Sequence, residues 1–212
     1  MNALRNALSV IRDFRRSYIS LNLVYYGLIL AGMLVALACP SLQESLLKAI
    51  GQAVRQGPLA PVAQAYREGH LLSAMTKTFL INFFAGSLLV ISLPSLVIPF
   101  SGLVMGVVRA AMWGLIFSPI HAQLSPAKIA VGVLIAILLF LEGQGYVLAM
   151  QAAYIQSRLF LHPAEAGKTG LAQGYLAGVK RSLPVYLLVA IVLAVAAVYE
   201  ATIGILLLPR LR

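Results

Sequence analysis

This chain predicts an all-α fold, a polytopic transmembrane helical bundle, and three observations lead there. First, 61% of its 212 residues are hydrophobic and 10% are charged, with a mean hydropathy of +0.92; a water-soluble globular chain carries about 25% charged residues. Second, the apolar residues fall in long blocks rather than at amphipathic spacing, as they do when lipid surrounds each helix. Third, the longest block, from Lys128 to Leu161, has Glu142-Gly143-Gln144-Gly145 at its centre, and an ionisable side chain at mid-bilayer depth is expensive.

Charge and cysteine usage narrow the function classes. The net charge is +10. The basic residues sit mostly at block edges, where they meet anionic lipid headgroups and fix orientation. They are not interleaved with stacking aromatics, so no nucleic-acid partner is expected. The single cysteine, Cys39, excludes an internal disulfide and a thiolate metal cluster. Ala36-Leu37-Ala38-Cys39 faintly resembles a lipoprotein cleavage site, but the apolar run before it is longer than a signal core and its basic flank is too long. A retained anchor is expected.

Residues 1–20 read as an interfacial amphipathic helix. Leu4, Leu8, Ile11, Phe14 and Tyr18 recur at spacings of three and four, with Arg5, Arg12, Arg15 and Arg16 on much of the rest. Residues 21–212 read as a single transmembrane helical domain of about five spans. The first covers Leu21–Ala38 and stops at Pro40. Residues 41–74 form a surface amphipathic segment, broken at Gly57-Pro58. Spans at Met75–Val97 and Ser101–Phe117 form an antiparallel hairpin, with Pro94 and Pro99 bracketing the turn. In the third span Gly102, Gly106, Ala110 and Gly114 recur every four residues, a stripe that admits close helix packing.

Lys128–Leu161 is too long for one simple crossing. Its 34 residues make a helix of about 51 Å against a hydrocarbon core of about 30 Å, and even a tilt of about 40° leaves an excess. Two solutions follow: a single crossing broken at Gly143 and Gly145, or a re-entrant hairpin. The balance of Lys and Arg favours the single crossing with the N-terminus cytoplasmic. Residues 163–182 read as a cytoplasmic amphipathic segment, and the last span as Leu183–Leu208.

Five polar side chains fall inside these spans: Asn82, Arg109, Glu142, Gln144 and Glu200. Arg109 and Glu142 both lie near mid-depth, where an unpaired charge costs about 3 kcal/mol or more. They are expected to pair; the alternatives for Arg109 are a water-filled groove or carbonyls freed at the break. Glu200 is expected to meet Lys77 or to accept hydrogen bonds from a neighbouring span. His70, His121 and His162 have no metal-ligand spacing, so no metal and no cofactor is expected. No nucleophile–base arrangement is present, so there are no catalytic residues to name and the chain is not expected to be an enzyme.

From about Thr78 to Pro209 the chain resembles the stage II sporulation protein M family of integral membrane proteins. Phe79 to Gly86, with Asn82 inside it, looks like the family's first core helix. Ser101-Gly102 to Gly106 looks like its Asn-Gly-x-x-x-Gly element, with serine for asparagine. Tyr199-Glu200-Ala201-Thr202 looks like its C-terminal Glu-Ala element. The family's His-Gly followed by glutamate has no full counterpart: Glu142-Gly143 stands in for the His-Gly, or Glu142 is the glutamate with the histidine lost. The resemblance implies a non-catalytic membrane protein of a prokaryotic cytoplasmic membrane that works with other proteins. The expected role is therefore a membrane scaffold or assembly subunit, forming homo- or hetero-oligomers; the alternative is a permease or transporter subunit with a polar mid-membrane site.

Overall fold

The computed structural model describes residues 2–119 and 126–210; His121 and Arg212 lie outside them. Among the described residues the chain is helical throughout, without strands. The helices are α1 Asn2–Asp13, α2 Arg15–Ala38, α3 Pro40–Gln56, α4 Ala60–Arg67, α5 Leu71–Leu80, α6 Leu93–Val97, α7 Ser101–Ile116, α8 Pro126–Leu161, α9 Leu171–Ser182 and α10 Val185–Thr202. A π-helical stretch, Ile81–Ser92, joins α5 to α6, so Leu71–Val97 is one rod.

Four helical rods are long and apolar enough to cross a membrane: Arg15–Ala38, Leu71–Val97, Lys128–Leu161 and Leu171–Arg210. The 16-residue α7 is apolar but shorter. Together they form five rods running between two ends of one bundle. At one end Asp13 pairs with Arg181, and Arg158 with Glu165 at 2.7 Å. At the other, Gln43 of α3 reaches the last turn of α7.

Local sequence accounts for the joints. Pro40 opens α3, where its missing N–H costs nothing. Phe100, between α6 and α7, sits in the left-handed region at φ 65°, uncommon for a bulky side chain. Its N–H donates to Ser157 Oγ at 2.9 Å, which ties the turn to α8.

One expectation is corrected. α8 is continuous from Pro126 to Leu161, so the predicted interruption at Gly143 and Gly145, and with it the re-entrant hairpin, is not there. The glycines serve packing instead. A Cβ on Gly143 would lie 2.8 Å from the Tyr26 hydroxyl, and one on Gly145 would strike the Leu193 side chain. Their helical cost of about 1 kcal/mol each is offset by close contact with α2 and α10. Residues 171–182 keep an exposed face, with only Gly174, Gly178 and Ser182 buried. α9 runs back along α8, with Gly174 against the carbonyls of Leu159 and Phe160 and Gly178 against that of Gln156.

The stripe on α7 is spent within this chain. Gly102 faces the Ile91 carbonyl, Gly106 the side chain of Met150, and Gly114 the Ile29 carbonyl and Gly32 of α2; Ala110 is fully buried. In α1 the covered strip is Ala7 and Val10, while Leu4 and Leu8 stay exposed.

Candidate functional site

The polar side chains of the spans meet at the middle of α8. Glu142 is 6% exposed and Asn82, in the π-helical stretch, 9%. The Asn82 amide donates to Glu142 Oε1 at 2.9 Å. Its carbonyl oxygen accepts from the Tyr146 hydroxyl, also at 2.9 Å. Tyr146 in turn accepts from an Arg109 guanidinium N–H at 2.6 Å. Arg109 therefore reaches Glu142 through two neutral side chains rather than by the expected direct ion pair. Its guanidinium lies over the Tyr146 ring at 3.8 Å and near the Trp113 ring at 5.1 Å, a cation–π arrangement that gains strength away from water.

Three helical segments supply this chain of contacts, the π-helical stretch, α7 and α8, and each position has a local reason. Tyr146 follows Glu142 by four residues, so both project from one face of α8. Gly86 leaves the space that the Tyr146 ring fills: a Cβ there would lie 2.9 Å from the ring. The π-helical turns present Asn82, Gly86 and Ser87 to the interior, and Ser87 Oγ donates back to the Asn82 carbonyl at 3.1 Å. A π-helical stretch in an apolar rod is rare and tends to mark functional positions.

Glu200 of α10 completes the site from the other side. It faces Glu142 and the Tyr66 hydroxyl of α4 closely enough to interact with both. Tyr66 Oη also lies 3.2 Å from Thr78 Oγ1. The predicted Glu200–Lys77 contact is absent, because Lys77 Nζ donates to the Pro61 carbonyl at 3.1 Å. A cavity of about 310 Å³ opens beneath α3 and α4 and reaches Tyr66, Thr78, Asn82, Glu142 and Glu200. Two facing carboxyl groups at the floor of a cavity can hold a proton or one small cation between them.

Gln144 belongs to a second, separate cluster. Its amide donates to Asn22 Oδ1 at 2.6 Å and to the Tyr26 hydroxyl at 3.0 Å. Its oxygen accepts from Tyr18 at 2.7 Å, and Tyr26 donates to the Phe140 carbonyl at 2.9 Å. These contacts fasten α2 to α8 and leave Gln144 turned away from the cavity. His70 is exposed and pairs with Glu68 at 3.2 Å. Among the described residues no three His, Cys, Asp or Glu side chains converge.

Sequence reasoning missed Tyr146, Tyr66 and Thr78. Tyr146 was within reach, being one turn from Glu142. Tyr66 was not, since α4 reads as a surface helix. No family model, no curated protein and no solved structure matches the chain.

Proposed function

We propose that this chain is a non-catalytic scaffold or assembly subunit of a prokaryotic cytoplasmic membrane, related to the stage II sporulation protein M family. One observation carries the reading: Asn82, Arg109, Glu142 and Gln144 each bond to other side chains of the rods. Arg109, Tyr146, Asn82 and Glu142 form one hydrogen-bonded chain, and Gln144 is used up between Tyr18, Asn22 and Tyr26. From Tyr146 to Ala153 the core of α8 is almost wholly buried. A centre closed this way fixes helix register rather than passing a solute. In this reading five crossings, with α7 as the short one, put the two ends of the chain on opposite faces, the N-terminal one being cytoplasmic by the balance of Lys and Arg. The cluster of Arg12, Arg15, Arg16 and Arg158 around one cavity supports that orientation. Partner chains would be met by α1, whose Leu4 and Leu8 are uncovered, and by the α3–α4 pair. The test is purification of the chain from its native membrane in mild detergent. A stable complex with further membrane chains is the expected result; this protein alone, as a monomer, would sink the reading.

A second reading, a permease or transporter subunit, rests on the cavity that reaches Glu142 and Glu200. It predicts flux of protons or small cations in liposomes, lost on Glu142→Gln. Tight liposomes without flux would remove it.

A further inference from the structure

At the charged end of the bundle a cavity of about 790 Å³ opens where α1, α2 and α8 meet, within the roughly 300–1,000 Å³ of small-molecule sites. Arg12, Arg15, Arg16 and Arg158 line it, together with Asp13 and Glu165. The two acids are already matched. Glu165 accepts two N–H bonds from Arg158, at 2.7 and 3.0 Å, and Asp13 pairs with Arg181. Among the described residues Arg12, Arg15 and Arg16 have no acidic partner, and all three are exposed. Three guanidinium groups around one cavity thus keep their charge uncompensated. Two of them also stand against local preference. Arg12 ends α1, where the helix dipole favours a cation, but Arg15 and Arg16 open α2, where it disfavours one. No acidic residue stands in that first turn, and Phe14 at the cap brings no side-chain bond. The backbone ladder of α2 starts with the Tyr18 N–H on the Phe14 carbonyl at 3.1 Å, so the N–H groups of Arg15, Arg16 and Ser17 come before it. Guanidinium forks and leading N–H groups both suit the oxygens of a phosphate. A phosphate in the cavity would offset the arginine charge and the adverse dipole together.

Depth separates a lipid from a dissolved anion. Leu21 and Tyr154 line the cavity too. Along their helices they lie about 9 Å below Arg15 and about 6 Å below Arg158. The headgroup layer on each side of the hydrocarbon is about 5–8 Å thick, so the cavity runs from the level of the phosphates to that of the first methylenes. Leu21 and Leu103 give its deeper part an apolar wall. A dissolved phosphate would leave that wall uncovered, whereas a glycerophospholipid covers it.

We propose that this cavity holds one anionic phospholipid, its phosphate bound by Arg12, Arg15 and Arg16 and its glycerol backbone against Leu21 and Leu103. The site does not depend on the scaffold reading, since a permease would carry it equally. The test is native mass spectrometry of the full chain in mild detergent, with phosphatidylglycerol and phosphatidylcholine of the same acyl chains added separately. The expected result is one phosphatidylglycerol retained per chain, with phosphatidylcholine held at least about tenfold more weakly. The triple variant Arg12→Gln/Arg15→Gln/Arg16→Gln should lose that preference. The triple variant Lys48→Gln/Arg55→Gln/Arg67→Gln, which removes the same charge from exposed positions of α3 and α4, should keep it. Equal retention of the two lipids by the unaltered protein would overturn the proposal, and this comparison stands even if a variant fails to fold. So would equal loss of preference in the two triple variants, which would mean that net charge alone attracts the lipid. So would displacement of the lipid by excess glycerol phosphate, which would assign the arginines to a dissolved phosphate.

Discussion

The two halves of α8 each hold a stretch without charged side chains, and these are opposite in use. From Ile129 to Phe140 the helix is half open: Val133 is 54% exposed and Phe140 56%. From Tyr146 to Ala153 each residue is 5% exposed or less. Both halves suit a bilayer, because a lipid tail and a leucine on the next helix are the same solvent; the buried half is the less apolar, with Tyr146 and Gln151 in it. What separates them is the small and polar residues. Gly132, in the open half, has nothing within 4 Å of a Cβ position, whereas Gly143 and Gly145 are pressed against α2 and α10. In this helix the hydrogen-bonding side chains, and the glycines next to them rather than Gly132, mark the protein-facing half.

The strongest challenge to this contrast is Asn82→Leu. It removes the donor to Glu142 Oε1 and the acceptor for the Tyr146 O–H together, at about 1–3 kcal/mol each. Thermal unfolding in detergent should show a loss of about 2 kcal/mol or more; an unchanged midpoint would mean the hydrogen-bonded chain does not hold the closed half. Next come two glycines. Gly143→Ala should cost about 1–3 kcal/mol by overpacking against Tyr26 and Tyr25. Gly132→Ala should be neutral or stabilising by up to about 1 kcal/mol. Equal effects in the same unfolding assay would erase the distinction between the halves. Tyr26→Phe removes the bonds to Gln144 and to the Phe140 carbonyl, for an expected loss of about 0.5–1.5 kcal/mol.

The smallest effect concerns Glu165, at the exposed C-terminal end of α8. The Arg158 guanidinium holds its carboxyl below the usual carboxylate range. A lowered folded-state value means the contribution is present above the unfolded pKa of about 4.3 and is lost as pH falls through the folded one. Stability profiles of wild type and Glu165→Gln should therefore differ slightly at pH 7 and converge as pH falls below the unfolded value and through the lowered folded one, with a smaller difference in high salt, since the pair is exposed. A gap that widens in acid would reverse the assignment.

Much of this was legible in the sequence, for identifiable reasons. Apolar blocks and their proline punctuation place the rods, because a bilayer demands long helices and proline stops them. The four-residue stripe on α7 points to close packing, and Gly102 and Gly114 do meet backbone while Gly106 meets the Met150 side chain. The interruption at Gly143 and Gly145 was misread. Low helix propensity is a local quantity, and contact with Tyr26 and Leu193 outweighs it. The link between Arg109 and Glu142 was half legible: both needed a partner, but spacing on separate helices cannot reveal that Tyr146 and Asn82 stand between them. The π-helical turns have no simple sequence signature, and the reach of Tyr66 toward Glu200 depends on how α4 folds back.

One side chain of α3 bears on the shortest rod. Gln43 Nε2 lies 2.9 Å from the carbonyls of both Leu115 and Ser118 and 3.3 Å from that of Ile116. The closing carbonyls of a helix ordinarily seek solvent. Those of α7 already have a donor, so this helix can stop short of the aqueous boundary without leaving oxygen bare in oil. The amide acts as a portable scrap of interface, carried inward by a neighbouring helix.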